Sequence, residues 1–572
     1  MAEAATNRTS AIFLADKPMS IVSGIPLSEE KGIGALTLGG YLRDVTSRFA
    51  SREAAVMRAG TGTERWSYAD LWQRSMEVAR ALVASGAGHG ARVGILATNR
   101  LEFLSCTFGT ALAGGVATCF STFSTPSELD FLLKASACDV LLFESRVLKK
   151  NFLQMLLDLD PAFASPGSGG LVSACYPFLR VVAMIDTLEN VGTIAGWQAF
   201  LDRGRETGPG QVEARAAAVS PADPGVLLFS SGSTGKPKGI LSAHRGVCLQ
   251  LWRWHRWYNI VEPPRTWSAN GFFWSGNFAM AFGSTLSSGG SLVLQRWFDA
   301  DEALELIEAE KVTMIRAWPH QWAQLVAARN WGDVDLSSLH YVDRDSPIAK
   351  HPTISTDWQD PNQAYGNTET FTLISACATA SEEAAAGTGH GLPTAGSTIK
   401  IVDPMAGNVL PLGERGEIAV KGPTLMLGYL GIPLADSLDP EGFLRTGDGG
   451  YLDELGHLHW EGRLNDIIKT GGANVSPLEI DDVIRRHPGV KLCQTVGVPD
   501  ELLGEMVVSC VIPHAAIELD EAAIQAFARV ELASYKTPRR VIFFDEGELS
   551  LTGSAKIKAD DLRKLARARL TS

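Results

Sequence analysis

Residues 226–239, Val-Leu-Leu-Phe-Ser-Ser-Gly-Ser-Thr-Gly-Lys-Pro-Lys-Gly, join an apolar run to a loop of glycines, hydroxyls and lysines. The apolar run reads as a buried strand that delivers the loop to a sheet edge. Ser230, Ser231, Ser233 and Thr234 offer short donors and Lys236 and Lys238 offer charge. Gly232 and Gly235 let backbone N–H groups approach a ligand that a Cβ would obstruct. This is chemistry for an anion, above all a phosphate. It is not a Walker A loop, which sets Gly-Lys before Ser or Thr at a helix start; here Lys236 precedes Pro237, which disfavours an ordinary P-loop nucleotidase.

Further clusters follow in order: Gln363-Ala-Tyr-Gly-Asn-Thr-Glu-Thr370, Phe443-Leu-Arg-Thr-Gly-Asp-Gly449, Glu461-Gly-Arg-Leu-Asn-Asp-Ile-Ile-Lys469 and Leu551-Thr-Gly-Ser-Ala-Lys-Ile557. The loop at 230–239 resembles the phosphate loop of the adenylate-forming superfamily, and the later clusters resemble its companion motifs in the same order. The likeness runs over nearly the whole length and is nearest the fatty-acyl-CoA ligase branch. It implies an ATP-dependent enzyme that converts a carboxylic acid into an acyl-adenylate and then into a CoA thioester, releasing pyrophosphate and AMP. By the same resemblance, the loop holds the ATP phosphates and Tyr365, within Tyr365-Gly366-Asn367-Thr368, packs on adenine. Thr368 meets the α-phosphate region and Glu369 helps to hold Mg²⁺, for which a hard oxygen ligand is suited. Asp448 accepts both ribose hydroxyls, Arg463 contacts the nucleotide, Asn465 is the hinge, and Lys556 is the catalytic lysine. Gly471 and Gly472 would flank the pantetheine channel once the C-terminal domain has rotated.

The acyl end is read from Asn270-Gly-Phe-Phe-Trp-Ser-Gly-Asn277, at the distance where relatives place an aromatic or His beside the carboxyl end of the pocket. Phe273, Trp274 and Asn277 are the candidate lining, Trp274 standing where many similar synthetases carry His, and Trp318 is a second candidate wall. Three departures from the family pattern stand out. Val342-Asp-Arg-Asp-Ser-Pro347 replaces a Gly-Gly-Ala-Pro-like adenine wall, Asn465 replaces an Asp or Lys, and Ala555 replaces the glycine before the lysine. They feed one other reading, a non-catalytic nucleotide-binding regulator with the same fold, and the superfamily resemblance leaves open another, an acyl-AMP ligase that loads a carrier protein.

The elements that must position these residues alternate. Ser67 caps a helix with apolar positions Leu71, Val78, Ala79, Leu82 and Val83 at helical spacing, and Val93–Ala97, Val140–Phe143 and Leu179–Ile185 read as buried strands. Alternation of this kind predicts a layered α/β architecture with a largely parallel sheet. Pro166–Gly170 and the Ala-rich stretch 212–220 read as loops, and Leu104–Phe120 as a buried helix. Trp252, Trp254 and Trp257 with Arg253 and Arg256 read as helical packing and are assigned no site. Beyond the hinge, Ser476-Pro-Leu-Glu479 reads as a capping box, and strands at 492–498, 506–512 and 541–544 with a helix at 521–534 make a compact α+β unit. The resemblance then implies a large multi-subdomain α/β domain, 1–464, and a small mobile α+β lid, 465–572.

The chain has 572 residues, 45% apolar and 20% charged, a globular balance with room for several cores. A formal charge of −13 argues against a nucleic-acid partner. The eight cysteines show no close metal-type pairs, as expected of a reduced cytoplasmic protein. Met1–Ser20 lacks the pattern of a secretory signal, and no run is long and apolar enough to span a bilayer. Weak peripheral membrane contact stays open for a greasy substrate, as does oligomeric state.

Overall fold

The computed structural model describes residues 18–59, 62–165, 170–230, 237–360, 363–377, 389–464, 466, 468–470, 473–500, 503–514, 517, 519–532, 536–545, 548 and 559–571. One seven-stranded sheet runs in the order Gly428–Tyr429, Lys238–Ala243, Pro224–Ser230, Val116–Phe120, Arg92–Leu96, Val140–Phe143, Val181–Met184. The last five are parallel, and Lys238–Ala243 folds back antiparallel on Pro224–Ser230. A second sheet sets Met314–Arg316, Arg265–Ser268, Ser291–Leu294 and Glu53–Ala59 parallel, with Gly62–Ser67 as an antiparallel edge. The expected α/β layering holds for both. A third sheet, Ile21–Ser23, Thr398–Val402, Gly416–Lys421, Leu444–Leu452 and Leu458–Arg463, is antiparallel throughout, and alternation in the N-terminal half gave no sign of it.

Local signals decide most boundaries. Ser67 Oγ accepts the Asp70 amide while the Asp70 carboxylate accepts the Ser67 amide at 2.8 Å, a reciprocal cap that starts the helix Tyr68–Ala84. That helix packs on Leu101–Leu112, where Gly109 permits close approach: a Cβ there would lie 2.7 Å from the Val78 side chain. Gly109→Leu must therefore push two fully packed helices apart, at a cost on the order of 1–3 kcal/mol. The expected result is a lowered Tm, read by thermal unfolding of the two proteins side by side.

Three expectations need correction. The stretch 212–220 is largely helix, Pro209–Ala218, because alanines favour helix, Pro209 fits its first turn and Val212 is buried against the core. Leu104–Phe120 is not one helix. The helix ends at Leu112, Gly114 turns the chain at φ +82°, and Val116–Phe120 is a fully buried strand. Ser476 and Glu479 do flank the start of the helix Pro477–Arg485 but form no capping box. The Ser476 hydroxyl donates to the Glu461 carbonyl, and Glu479 is drawn off by Lys536 at 2.6 Å. Most of Pro166–Gly170 lies outside the described residues.

The C-terminal part builds its own sheet around the long hairpin Val490–Asp500 and Gly504–Pro513, with Arg540–Phe543 parallel to the latter. Its apolar side chains, among them Ile480, Ile484, Val507 and Ile524, form a cluster separate from those of the larger sheets. The eight cysteines are free thiols, all buried except Cys175. Among the described residues no helix is long and apolar enough to cross a membrane.

Candidate active site

The phosphate-type loop leaves the sheet at the carboxyl end of Pro224–Ser230, where open α/β sheets bind their ligands. Ser230 pairs with Lys238 across the hairpin, so the two residues mark its mouth. Ser231, Gly232, Ser233, Thr234, Gly235 and Lys236 lie outside the described residues, as do Asn465, Gly471, Gly472 and Lys556.

At that mouth Lys238 Nζ sits 5.0 Å from the centre of the Tyr429 ring, a cation–π distance. The Tyr429 hydroxyl donates to Glu369 Oε1 at 2.8 Å, and the Glu369 carbonyl accepts the Met426 amide at 2.7 Å. Tyr429 belongs to the two-residue strand that edges the hairpin, which carries it to Glu369. Nothing in the sequence marks this isolated tyrosine as a site residue; only the pairing of Tyr429 with Ile240 reveals it.

The turn carrying Glu369 is fixed by its own backbone. Asn367 Oδ1 accepts the Thr370 amide, and Thr370 Oγ1 accepts the Asn367 amide, each at 3.0 Å. Phe371 and Thr372 adopt positive φ, which costs energy in residues that are not glycine. Gly366 is demanded by space, since a Cβ would fall 1.6 Å from the Thr372 carbonyl oxygen. The helix His244–Trp257 pins the turn from behind: Gln250 Nε2 donates to the Leu373 carbonyl at 2.7 Å and Trp254 Nε1 to Thr372 Oγ1 at 3.1 Å. The tryptophan- and arginine-rich helix is thus packing, as read, and Arg253 within it is fully buried against Glu30. It also serves the site through Gln250 and Trp254, whose i, i+4 spacing sets them on one face.

Tyr365 lies at the other end of the same motif, 5% exposed, and donates its hydroxyl to Asp448 Oδ2 at 2.6 Å. The other oxygen of Asp448 pairs with Arg463 Nε at 3.0 Å, and Arg463 also donates to the Thr446 carbonyl. The register of Leu444–Leu452 against Leu458–Arg463 sets Asp448 directly opposite Arg463, so three separate motifs meet at one carboxylate. Burial raises the pKa of Asp448 above the ordinary carboxylate value, and the Arg463 charge opposes the rise; the Glu369 charge adds to it. Thr368, between Tyr365 and Glu369 on that turn, is partly exposed.

Around the candidate acyl pocket, Phe273 is buried and meets Phe123 edge-on and Trp274 at 5.4 Å. Trp274 is partly buried against the largest apolar cluster, whereas Trp318 is half exposed. Asn277 is bound within its own segment. It accepts from Ser268 Oγ at 2.7 Å and donates to the Asn270 carbonyl, which makes it a brace for the 270–277 loop and leaves it little to offer a substrate. The charged stretch that replaces the glycines binds the following segment: Asp343 accepts the backbone amides of Asp345 and Asp360 at 2.8 and 2.9 Å.

The sequence matches the AMP-binding enzyme family over residues 42–430 and the AMP-binding enzyme C-terminal domain over residues 479–556. It is 30% identical over 513 residues to the 3-[(3aS,4S,7aS)-7a-methyl-1,5-dioxo-octahydro-1H-inden-4-yl]propanoyl:CoA ligase of Mycobacterium tuberculosis, covering 88% of this chain and 94% of that protein. A feruloyl-CoA synthase of an Amycolatopsis species is 28% identical, over 91% of this chain and 97% of its own. In fold the chain is similar to ATP-bound MatB from Rhodopseudomonas palustris, with a TM-score of 0.70 at 24% identity over 93% of this chain and 98% of that one. With both parts of the family matched in order, over residues 42–430 and 479–556, the chain belongs to the AMP-binding enzyme family.

Proposed function

We propose that the chain is an AMP-forming acid:CoA ligase acting on a hydrophobic carboxylic acid. A carboxylate is a poor electrophile, so thioester formation needs an activated acyl group first. A carboxylate oxygen of the acid attacks the α-phosphorus of ATP and pyrophosphate leaves. The CoA sulfur then attacks the acyl carbon of the adenylate, its proton is lost, and AMP leaves. The protein positions the partners and neutralises the charge that spreads over the phosphoryl oxygens.

The observation that carries this reading is the meeting of Tyr365, Asp448 and Arg463 beside Glu369, Tyr429 and Lys238 at the mouth of the 230–238 hairpin. In it, Tyr365 borders adenine, Asp448 receives the ribose hydroxyls, Thr368 faces the α-phosphate, and the 230–238 loop cradles the β- and γ-phosphates. Glu369 fits Mg²⁺, since one carboxylate together with substrate phosphates and water is the usual set for that ion. When bound, Mg²⁺ would supply charge neutralisation at the phosphates. Residues 1–464 form the nucleotide and acyl domain and 465–572 the lid, which turns about Asn465 to exchange Lys556 for the Gly471–Gly472 loop between the two half-reactions. The aromatic wall of Phe273 and Trp274 suits an apolar acyl group.

A screen of carboxylic acids for pyrophosphate release, with and without CoA, tests the proposal. Acid-dependent release accompanied by a CoA thioester is expected. Release without thioester would identify a carrier-loading ligase instead, and no acid-dependent release at all would remove the enzyme reading.

A further inference from the structure

Arg316 ends the strand Met314–Arg316 and is buried. One terminal nitrogen pairs with Asp360, and the guanidinium lies 3.8 Å from the centre of the Tyr258 ring. Its Nε–H and its other terminal NH₂ group are buried and find no acceptor among the described residues. The Tyr258 hydroxyl is buried and also has no partner among the described residues. Buried donors without acceptors are rare because each has lost its water and gained nothing in return. An oxygen acceptor that reached these donors would recover that cost.

Their place in the fold says which oxygen. Arg316 and Met314 share one face of their strand. Met314 and Tyr258 belong to the same apolar cluster as Phe273, with Trp274, Trp358 and Ala364 packed against it. The loop that leads to Phe273 and Trp274 is tied to Arg316 directly, since the Ala269 amide donates to its carbonyl at 3.0 Å. Ala364 adjoins Tyr365, so the cluster reaches from the aromatic wall to the nucleotide side. The stretch that departs from the family pattern holds the group in position: Asp343 fixes the Asp360 amide, and Asp360 fixes the guanidinium.

We propose that Arg316 and Tyr258 form a subsite in the acyl pocket for an uncharged oxygen, a ketone or hydroxyl remote from the reacting carboxylate. The inference rests on the ligase reading and adds a substrate class to it: oxygenated hydrophobic acids over plain alkanoic acids. A second carboxylate is the poorer ligand, because Asp360 already pairs with the guanidinium.

The test uses the full chain with ATP, Mg²⁺ and CoA. Pyrophosphate release is measured on sets of acids matched in length, each with a plain alkanoate, its remote keto and hydroxy forms, and the dicarboxylate. The ratio of kcat/KM between members of a set is the readout. The keto or hydroxy acid is expected to lead by on the order of 10- to 100-fold, and the lead to collapse towards one in Tyr258→Phe and in Arg316→Lys, which keeps the charge but loses the fork. A variant that merely folds poorly lowers all members alike and leaves the ratio intact. Equal kcat/KM across the sets, or a lead unchanged in both variants, would overturn the subsite; a dicarboxylate ahead of the ketone would overturn its neutral character. If no acid releases pyrophosphate, the ligase reading itself has failed. Calorimetric binding of the same acids to wild type and Tyr258→Phe then decides the subsite separately, with equal affinities counting against it.

Discussion

Lys556→Ala is expected to slow adenylation by on the order of 10² to 10³ while leaving a supplied acyl-adenylate able to pass to CoA. The reason lies in the charges at the cleft. Glu369 and Asp448 bring two carboxylates, whereas the described cations are already engaged: Lys238 lies over the Tyr429 ring, and Arg463 is paired with Asp448. As the acid attacks the α-phosphate, negative charge spreads over the equatorial oxygens, and a cation free to follow it has to come from elsewhere. We propose that Lys556, in the last motif of the sequence, is that cation during the first half-reaction only. Acid-dependent pyrophosphate release measures the first step, and thioester formation from a synthetic acyl-adenylate measures the second. Equal loss in both, or wild-type adenylation, would remove Lys556 from this role.

The motifs were legible because their chemistry requires neighbours in the chain. A phosphate loop needs several backbone amides in a row, and the turn bearing Tyr365 and Glu369 needs Gly366 where a Cβ would strike the Thr372 carbonyl. Helix starts were legible for the same reason when the cap was purely local, as at Ser67. At Ser476 the same pattern misled, because Glu461 and Lys536 compete for the capping groups through space.

What escaped the sequence is what depends on register. Tyr429 reaches Glu369 only because a two-residue strand edges the hairpin, and Asp448 meets Arg463 only because their strands pair with the shift at Gly449 and Gly450 that sets the two opposite. Gln250 and Trp254 grip the site turn from a helix that reads as plain packing. Asp343, Arg344 and Asp345 read as charges in place of an adenine wall, and in the structure Asp343 accepts the backbone amides of Asp345 and Asp360.

Asp448→Asn is expected to weaken ATP use sharply although it changes hardly any volume. The carboxylate accepts from two fixed donors, Tyr365 on one oxygen and Arg463 on the other. An amide has one oxygen and one NH₂: with the NH₂ towards Arg463 donor faces donor, and with the oxygen there the guanidinium loses its charged partner while the Tyr365 hydroxyl must accept instead of donate. Losing a hydrogen bond to a charged group costs about 1.5–3 kcal/mol, and the ribose loses an acceptor besides. The fall in kcat/KM for ATP should therefore be on the order of 10²-fold or more, seen mainly as a raised KM. Acid should imitate the substitution. Because burial raises the pKa of Asp448, protonation sets in at a higher pH than for an ordinary aspartate: ATP use is supported on the alkaline side and fails as pH falls through the raised value. A profile of kcat/KM for ATP against pH should show this limb in the wild type and lack it in Asp448→Asn, whereas a limb that persists in the variant would assign the titration to another group.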